Sequence, residues 1–284
     1  FMCVGAFSSA FFTACMKDTI TNDLLRFILA FIVAAVCAGI CGILIGIPVL
    51  RLKGDYLAIV TLAFGEIIMN IINALYIGRD ENGFHFSMKD SMSLNMSDSG
   101  KIIIKGAQGI TGTARQSTFT IGIILLLLTL VVVLNLMNSR SGRAIMSIRD
   151  NRIAAESVGI DVTKYKIMAF AISASLAGLA GCLYAHNLSS LTALPKNFGY
   201  NMSIMILVYV VLGGMANMRG SIIAAVLLTI IPELLREIGE YRMLIYAVIM
   251  IVMMIFNWSP KVREWRKAHS IKGAFHKKNV KEAE

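Results

Sequence analysis

The chain has 284 residues, of which 57% are hydrophobic and 15% charged, and its formal net charge is +10 at pH 7. Soluble domains are about 45–50% apolar and about 25% charged, so this composition argues against a soluble enzyme and indicates a membrane protein. Lys and Arg gather between and after the apolar runs, which favours a membrane orientation signal over nucleic-acid binding. The five cysteines lie in apolar runs without a CxxC pair, which argues against disulfides and metal ligands.

Apolar runs along the chain predict an all-α fold, a polytopic bundle of about eight transmembrane helices. These runs cover residues 1–16, 27–48, 56–76, 119–137, 165–186, 202–214, 221–235 and 243–256. The first residue, Phe1, already lies inside an apolar run, with no basic leader region before it. We therefore expect the bundle to be truncated at its N-terminus, with one or two further spans preceding this sequence.

Two polar segments interrupt the transmembrane domain that we assign to residues 1–258. One is a Ser-, Asn- and Gly-rich loop at residues 78–118, and the other is an Arg-rich segment at residues 138–164. The positive-inside rule places the Arg-rich segment and the basic tail, residues 259–284, in the cytoplasm. Four predicted membrane crossings separate the Arg-rich segment from the tail, and an even number agrees with both lying on the cytoplasmic side. One crossing separates the loop at 78–118 from the Arg-rich segment, so this loop is expected on the outer side.

The short runs at 202–214 and 221–235 flank the sequence GGMANMRGS, which begins with Gly213 and Gly214. Runs of this length cover about 20 Å of helix, less than the roughly 30 Å hydrocarbon core. One interpretation is a non-helical break that lines a transporter's path. The other is a pair of ordinary tilted helices with polar ends.

The sequence GDYLAIVTLAFGEI carries further candidate path or packing residues in the third run. Glu66 is costly there, by about 2.5–3.5 kcal/mol on insertion scales, so it should face protein or a wet cavity. It either lines the path or forms a packing hydrogen bond with Asn70, one turn further on. Thr61 belongs to the same group, whereas Asp55 is expected to act as an N-cap-like anchor.

The Arg-rich segment contains an apolar stripe at Ile145, Ile148, Ile153 and Val158. This spacing predicts a short amphipathic helix that stops at Gly159. Such a helix inserts into a groove on a partner or lies at the lipid interface, and the residues alone leave both open.

The sequence shows no nucleotide-binding GxxxxGK[ST] loop, HExxH motif or GxSxG nucleophile motif. We therefore expect no catalysis by this chain, and any active transport would draw its energy from another subunit or from an ion gradient. His186, at the end of the fifth run, is expected to be an interfacial residue.

Several segments in chain order resemble the LivM-type permease of branched-chain amino-acid ABC importers. They are FMCVGAFSSAFF, GDYLAIVTLAFGEI, GAQGITG, SRSGRAIMSIRDNRIAAESVGID, VLGGMANMRGS and PELLR. The resemblance implies a subunit in the cytoplasmic (inner) membrane of a prokaryote, with its C-terminus in the cytoplasm. It also implies four partners: a homologous second permease, two cytoplasmic ATPase subunits that hold ATP and Mg, and an extracytoplasmic amino-acid-binding protein. No cofactor is expected in this chain.

The same resemblance places the ATPase-coupling loop in the Arg-rich segment, with the coupling helix at residues 144–159. The coupling residues are then Arg140, Gly142, Arg143, Ala144, Arg149, Asp150, Ala154, Ala155, Glu156 and Gly159. Two alternatives stay open: an ion-driven secondary carrier that uses Glu66, and a related ABC permease for urea or short amides.

Overall fold

The fold was described from a computed structural model, which divides the chain into two units, Phe1–Tyr200 and Asn201–Glu284. The structure describes residues 1–17, 19–20, 22–52, 54–80, 83–89, 91–94, 100–214, 218–234, 241, 244–245, 247–248 and 251–252. Most of the expected last span at 243–256, and all of the basic tail at 259–284, lie outside these residues.

The first unit is built mainly from helices, and they coincide with the predicted apolar runs to within a few residues. The helices are α1 (Met2–Cys15), α2 (Asp23–Val49), α3 (Asp55–Ala74), α4 (Phe119–Asn138), α5 (Arg140–Asp150), α6 (Arg152–Ser157), α7 (Val162–Ala185) and α8 (Pro195–Phe198). In the described part of the chain, α2, α3, α4 and α7 are long and apolar enough to cross a membrane. The α1 helix is apolar but shorter.

Small residues bring α1, α2 and α7 into backbone contact, as the glycines of the second apolar run suggest. A Cβ atom added to Gly42 would lie 2.6 Å from the Cβ of Ala174. One added to Gly178 would lie 2.5 Å from the Cβ of Ala38. On its other side, Gly178 meets Gly5 of α1 so closely that a Cβ on Gly5 would lie 2.4 Å from the Gly178 Cα. These contacts fix the three helices against one another.

The mostly helical fold agrees with the expectation, but the region expected to be a loop at 78–118 also contains antiparallel strands. The strands are β1 (Tyr76–Asp80), β2 (Gly83–Ser87), β3 (Lys101–Lys105), β4 (Ile110–Thr111) and, after α7, β5 (Ser190–Leu191). One sheet has the order β2-β1-β3, and β4 pairs with β5. Strands this short, set among Gly and Ser, are stabilised by tertiary packing, which composition does not reveal.

The strands pack on the ends of α1 and α7. Ile77, Ile104 and Ile110 are buried in one cluster with Ala185 and Leu191. The Nη1 group of Arg79 in β1 also donates a hydrogen bond to the backbone oxygen of Cys15, at 2.8 Å. The strands therefore form a cap on the α1 and α7 C-terminal ends of the bundle.

Two short helices follow, α9 (Tyr200–Gly213) and α10 (Met218–Leu234), of 14 and 17 residues, and all of their residues except Tyr200 belong to the second unit. Their lengths, about 21 and about 26 Å, are below the roughly 30 Å of a hydrocarbon core. Gly214 ends α9 with φ +93°, and residues 215–217 lie outside the described residues. A Cβ on Gly213 would lie 2.3 Å from the Cα of Ser221, so the helices meet closely there. The predicted pair of short helices is confirmed.

The helix contacts predict a large effect of Gly178→Ala on stability. The added methyl group would overlap α2, and we expect the free energy of unfolding to fall by about 1–3 kcal/mol. The matched control is Gly122→Ala in α4, where nothing lies within 4 Å of the added Cβ. Thermal unfolding in detergent measures both, and equal midpoints for the two variants would contradict the packing described here.

Candidate functional site

The Arg-rich segment folds as two helices, α5 and α6, so the single helix expected from its apolar stripe is wrong. The break is at Asn151, whose Oδ1 accepts hydrogen bonds from the backbone N–H groups of Ile153 and Ala154, at 3.0 and 3.1 Å. Asn151 is thus the N-cap of α6, and its extended backbone ends α5. Ser139 plays the same role for α5 by accepting from the N–H of Gly142 at 3.1 Å.

The predicted stop at Gly159 is confirmed, and its mechanism is a Schellman motif. Gly159 has φ +82°, and its N–H donates to the oxygen of Glu156 at 3.1 Å. The N–H of Ile160 donates to the oxygen of Ala155 at 3.1 Å. The chain therefore turns after α6 and enters α7 after four connecting residues, 158–161.

Both helices of this segment are fixed to the membrane-spanning helices. Ile148 of α5, Ala155 of α6 and Val162 of α7 are buried in one apolar cluster. At the other end, a Cβ on Gly142 would lie 2.0 Å from the backbone oxygen of Leu136, so only glycine lets α5 fold back on the end of α4. The α6 helix is therefore in direct contact with α7, and α5 is in contact with both α4 and α7.

The apolar stripe is divided between two faces. Ile148 points into the cluster, whereas Ile153 and Val158 are 80% and 74% exposed. Large apolar side chains exposed on a helix that is otherwise polar indicate a surface for contact with a partner or with lipid. The α6 helix thus buries Ala155 and exposes Ile153, with Val158 exposed at its C-cap.

Charged side chains surround this outer surface. Arg152 Nε donates to Glu156 Oε1 at 2.9 Å, and Arg149 pairs with the adjacent Asp150 at 2.9 Å. Arg143 Nη1 donates to the backbone oxygen of Asn138 at 3.0 Å and so covers the end of α4. Exposed pairs of this kind add only about 0.3–0.5 kcal/mol each, so their main effect is on recognition.

The remaining predicted coupling residues lie on the same two helices. Arg140 is exposed at the start of α5. Ala144 and Ala154 accept hydrogen bonds from the hydroxyls of Ser147 and Ser157, both at 2.8 Å. The predicted coupling residues thus lie in one continuous stretch of chain, most of them exposed and two, Gly142 and Ala155, buried.

The predicted path residues of α3 are not brought together. Glu66 Oε1 accepts a hydrogen bond from the backbone N–H of Tyr200 at 3.0 Å, in place of the expected bond with Asn70, which is exposed. Thr61 donates to Ala58 in its own helix at 2.8 Å. Asp55 is the first residue of α3 rather than its N-cap, because the cap position belongs to Gly54.

One buried polar cluster was missed by the sequence analysis. His186 is fully buried rather than interfacial, with its Nε2 2.9 Å from the Oγ1 of Thr13. Its other ring nitrogen lies 2.9 Å from the backbone oxygen of Cys182, and Arg26 is buried nearby. The sequence feature that could have indicated this cluster is the position of its members: Thr13 and His186 both lie near the C-terminal ends of helices rich in small residues.

These features define a class: an α-helical membrane protein of several spans with a surface segment suited to a partner. A family described as the permease component of branched-chain amino acid transport systems matches residues 1–256. The chain belongs to this permease family.

Individual relatives agree with this assignment. The high-affinity branched-chain amino acid permease LivM of Salmonella typhimurium is 36% identical over 226 residues, which cover 76% of this chain and 52% of that protein. LivM of Escherichia coli is 35% identical with the same coverage. The fructose import permease FruG of Bifidobacterium longum is 26% identical over 49% of this chain and 43% of its own length. The chain thus spans about half the length of the curated relatives it matches. No solved structure matches it.

The capping geometry predicts that Asn151→Ala loosens α6. Losing both cap bonds should cost about 1 kcal/mol, which corresponds to about fivefold faster hydrogen exchange at the Ile153 and Ala154 amides. Asn151→Asp keeps the acceptor oxygen and is the matched control, with exchange near that of the natural protein. Equal exchange in both variants would show that the cap does not hold the helix.

Proposed function

We propose that this chain is a membrane-spanning permease subunit of an ATP-driven importer that moves leucine, isoleucine and valine across the cytoplasmic membrane of a prokaryote. Family membership supports transport of branched-chain amino acids by a non-catalytic subunit. The observation that carries the ATP-driven part is the α5–α6 segment, which exposes Ile153 and Val158 while Ala155 is buried against α7.

In this proposal α6 inserts into an apolar groove on a cytoplasmic ATPase subunit. The exposed pair fills the groove, and the surrounding Arg and Glu side chains set the orientation. Nucleotide binding would change the contacts that the partner makes with α6. Differential contacts shift a two-state equilibrium, and the cluster of Ile148, Ala155 and Val162 carries that shift into α7.

The complete assembly would contain this chain, a homologous second permease, two ATPase subunits and an extracytoplasmic amino-acid-binding protein. ATP and Mg would be bound by the ATPase subunits. The cations of the Arg-rich segment and of the basic tail favour a cytoplasmic position for both. The strand cap would then face outwards, where the binding protein delivers its amino acid.

The substrate assignment rests on the two LivM relatives, each about a third identical to this chain. FruG, named as a fructose import permease, and the autoinducer 2 import permease LsrC are also similar to parts of the chain. Permeases of this type therefore differ in what they carry, and urea or short amides are the alternative substrates to test.

The central experiment is uptake of labelled leucine by vesicles that hold the whole complex. We expect uptake that requires ATP and is competed by valine but not by urea. Competition by urea but not by valine would show that the substrate is urea or a short amide. Uptake that needs no ATP and is lost when an ion gradient is dissipated would contradict the ABC mechanism.

In the same assay, Ile153→Ser should lower ATP-dependent uptake at least about tenfold, since a fully buried isoleucine contributes about 1.5–3 kcal/mol to a contact. Its side chain is exposed, so the amount of protein in the membrane should not change. Ile153→Leu is the matched control and should retain uptake. Unchanged uptake in Ile153→Ser would show that α6 does not couple the complex.

Glu66→Gln separates the importer from a secondary carrier. The glutamine oxygen can still accept the hydrogen bond from Tyr200, so an importer should keep uptake within about twofold. A carrier that binds its proton or sodium ion at Glu66 would lose coupling to the gradient. Loss of uptake in this variant, together with ionophore sensitivity of the natural protein, would favour the carrier.

A further inference from the structure

We propose that a groove between α4, α5 and α7 binds an anionic phospholipid of the inner leaflet, with one acyl chain in the groove and the phosphate beside Arg149. The groove has a volume of 340 Å³, within the roughly 300–1,000 Å³ of small-molecule sites. This inference goes beyond the proposed transport function and rests on it only for the side of the membrane on which the groove lies.

The groove is lined by one face of each helix. The α4 face consists of Val133, Leu136 and Met137, at the i, i+3 and i+4 spacing of a helix surface. The α5 face includes Ile145, Met146 and Arg149, with Arg149 three and four residues after the other two. Apart from Arg149 and a serine of α7, the lining residues are apolar or glycine. Methionine side chains are flexible, so they can follow the shape of an acyl chain.

The position of the groove favours lipid over a soluble ligand. It lies along the last turns of α4, a helix apolar enough to cross a membrane, and no residue of α4 is buried within the described part of the chain. Moving a hydrocarbon chain from the bilayer into this groove leaves it in apolar surroundings. The cost of binding is therefore low, and selectivity depends on the head group.

Charge complementarity selects an anionic head group. Residues 138–166 contain six Lys or Arg and three Asp or Glu, so the end of the groove at Arg149 is positive. Arg149 donates from Nε and Nη2 to one oxygen of Asp150, at 3.0 and 2.9 Å. A guanidinium group has five N–H donors, so others remain for a phosphate. Basic pockets between helices on the cytoplasmic side are established binding sites for acidic lipid head groups.

The test is native mass spectrometry of the full chain in mild detergent, with phosphatidylglycerol and phosphatidylcholine added in turn. We expect preferential retention of phosphatidylglycerol. Arg149→Gln should reduce that retention about fivefold, whereas Arg152→Gln, which removes an equal charge outside the groove, should not. Ser173→Phe fills the groove from an exposed position and should reduce retention of both lipids.

Equal retention of the two lipids, or no effect of Arg149→Gln and Ser173→Phe, would overturn the proposal. Displacement of the lipid by inorganic phosphate alone would show that the site recognises anions rather than lipid, and it would also overturn the proposal. A photoreactive methionine analogue in place of Met146, similar in size to the natural side chain, gives a further test in the assembled membrane protein: a lipid adduct supports the proposal, and a cross-link to another span or a second protein overturns it. Lipid retention needs neither ATP nor amino acid, so its failure leaves the transport proposal standing.

Discussion

The architecture of the first unit depends on backbone-to-backbone packing of α1, α2 and α7. Lipid provides no hydrophobic force between helices, so their association relies on close van der Waals contact. Glycine and alanine supply that contact here, and Gly178 meets α1 on one side and α2 on the other. Because these contacts join backbone to backbone, the three helices cannot shift against one another without breaking them.

The α5–α6 segment is attached to these three helices through its contacts with α7. The α6 helix begins at a side-chain cap, ends at a left-handed glycine and is joined to α7 by a turn of a few residues. It therefore has little freedom to move independently of α7. Its exposed apolar side chains point away from the bundle, so a partner can contact them without disturbing the cluster around Ala155.

Much of the helical fold could be predicted from the sequence, because a long apolar run in a membrane protein satisfies its backbone only as a helix. The strands could not be predicted, since five-residue segments among Gly and Ser depend on burial of Ile77 and Ile104 beneath α1. The predicted coupling residues lie close together in the chain, and their role in coupling stays a prediction. The contact between Glu66 and Tyr200 joins residues 134 positions apart, and no local pattern reports such a contact. The break at Asn151 was readable, because Asn is a preferred cap and Arg152 and Glu156 are spaced as a helical pair.

The pairing of β4 with β5 has a consequence for how the protein is made. Residues 110–111 bond with residues 190–191, so this two-stranded ladder closes only after α4, α5, α6 and α7 have all been synthesised. Until then, β4 has no partner strand, and the cap over the bundle is incomplete. Closure links the loop before α4 to the loop after α7. The cap of the first unit can therefore be completed only after Leu191 has been synthesised.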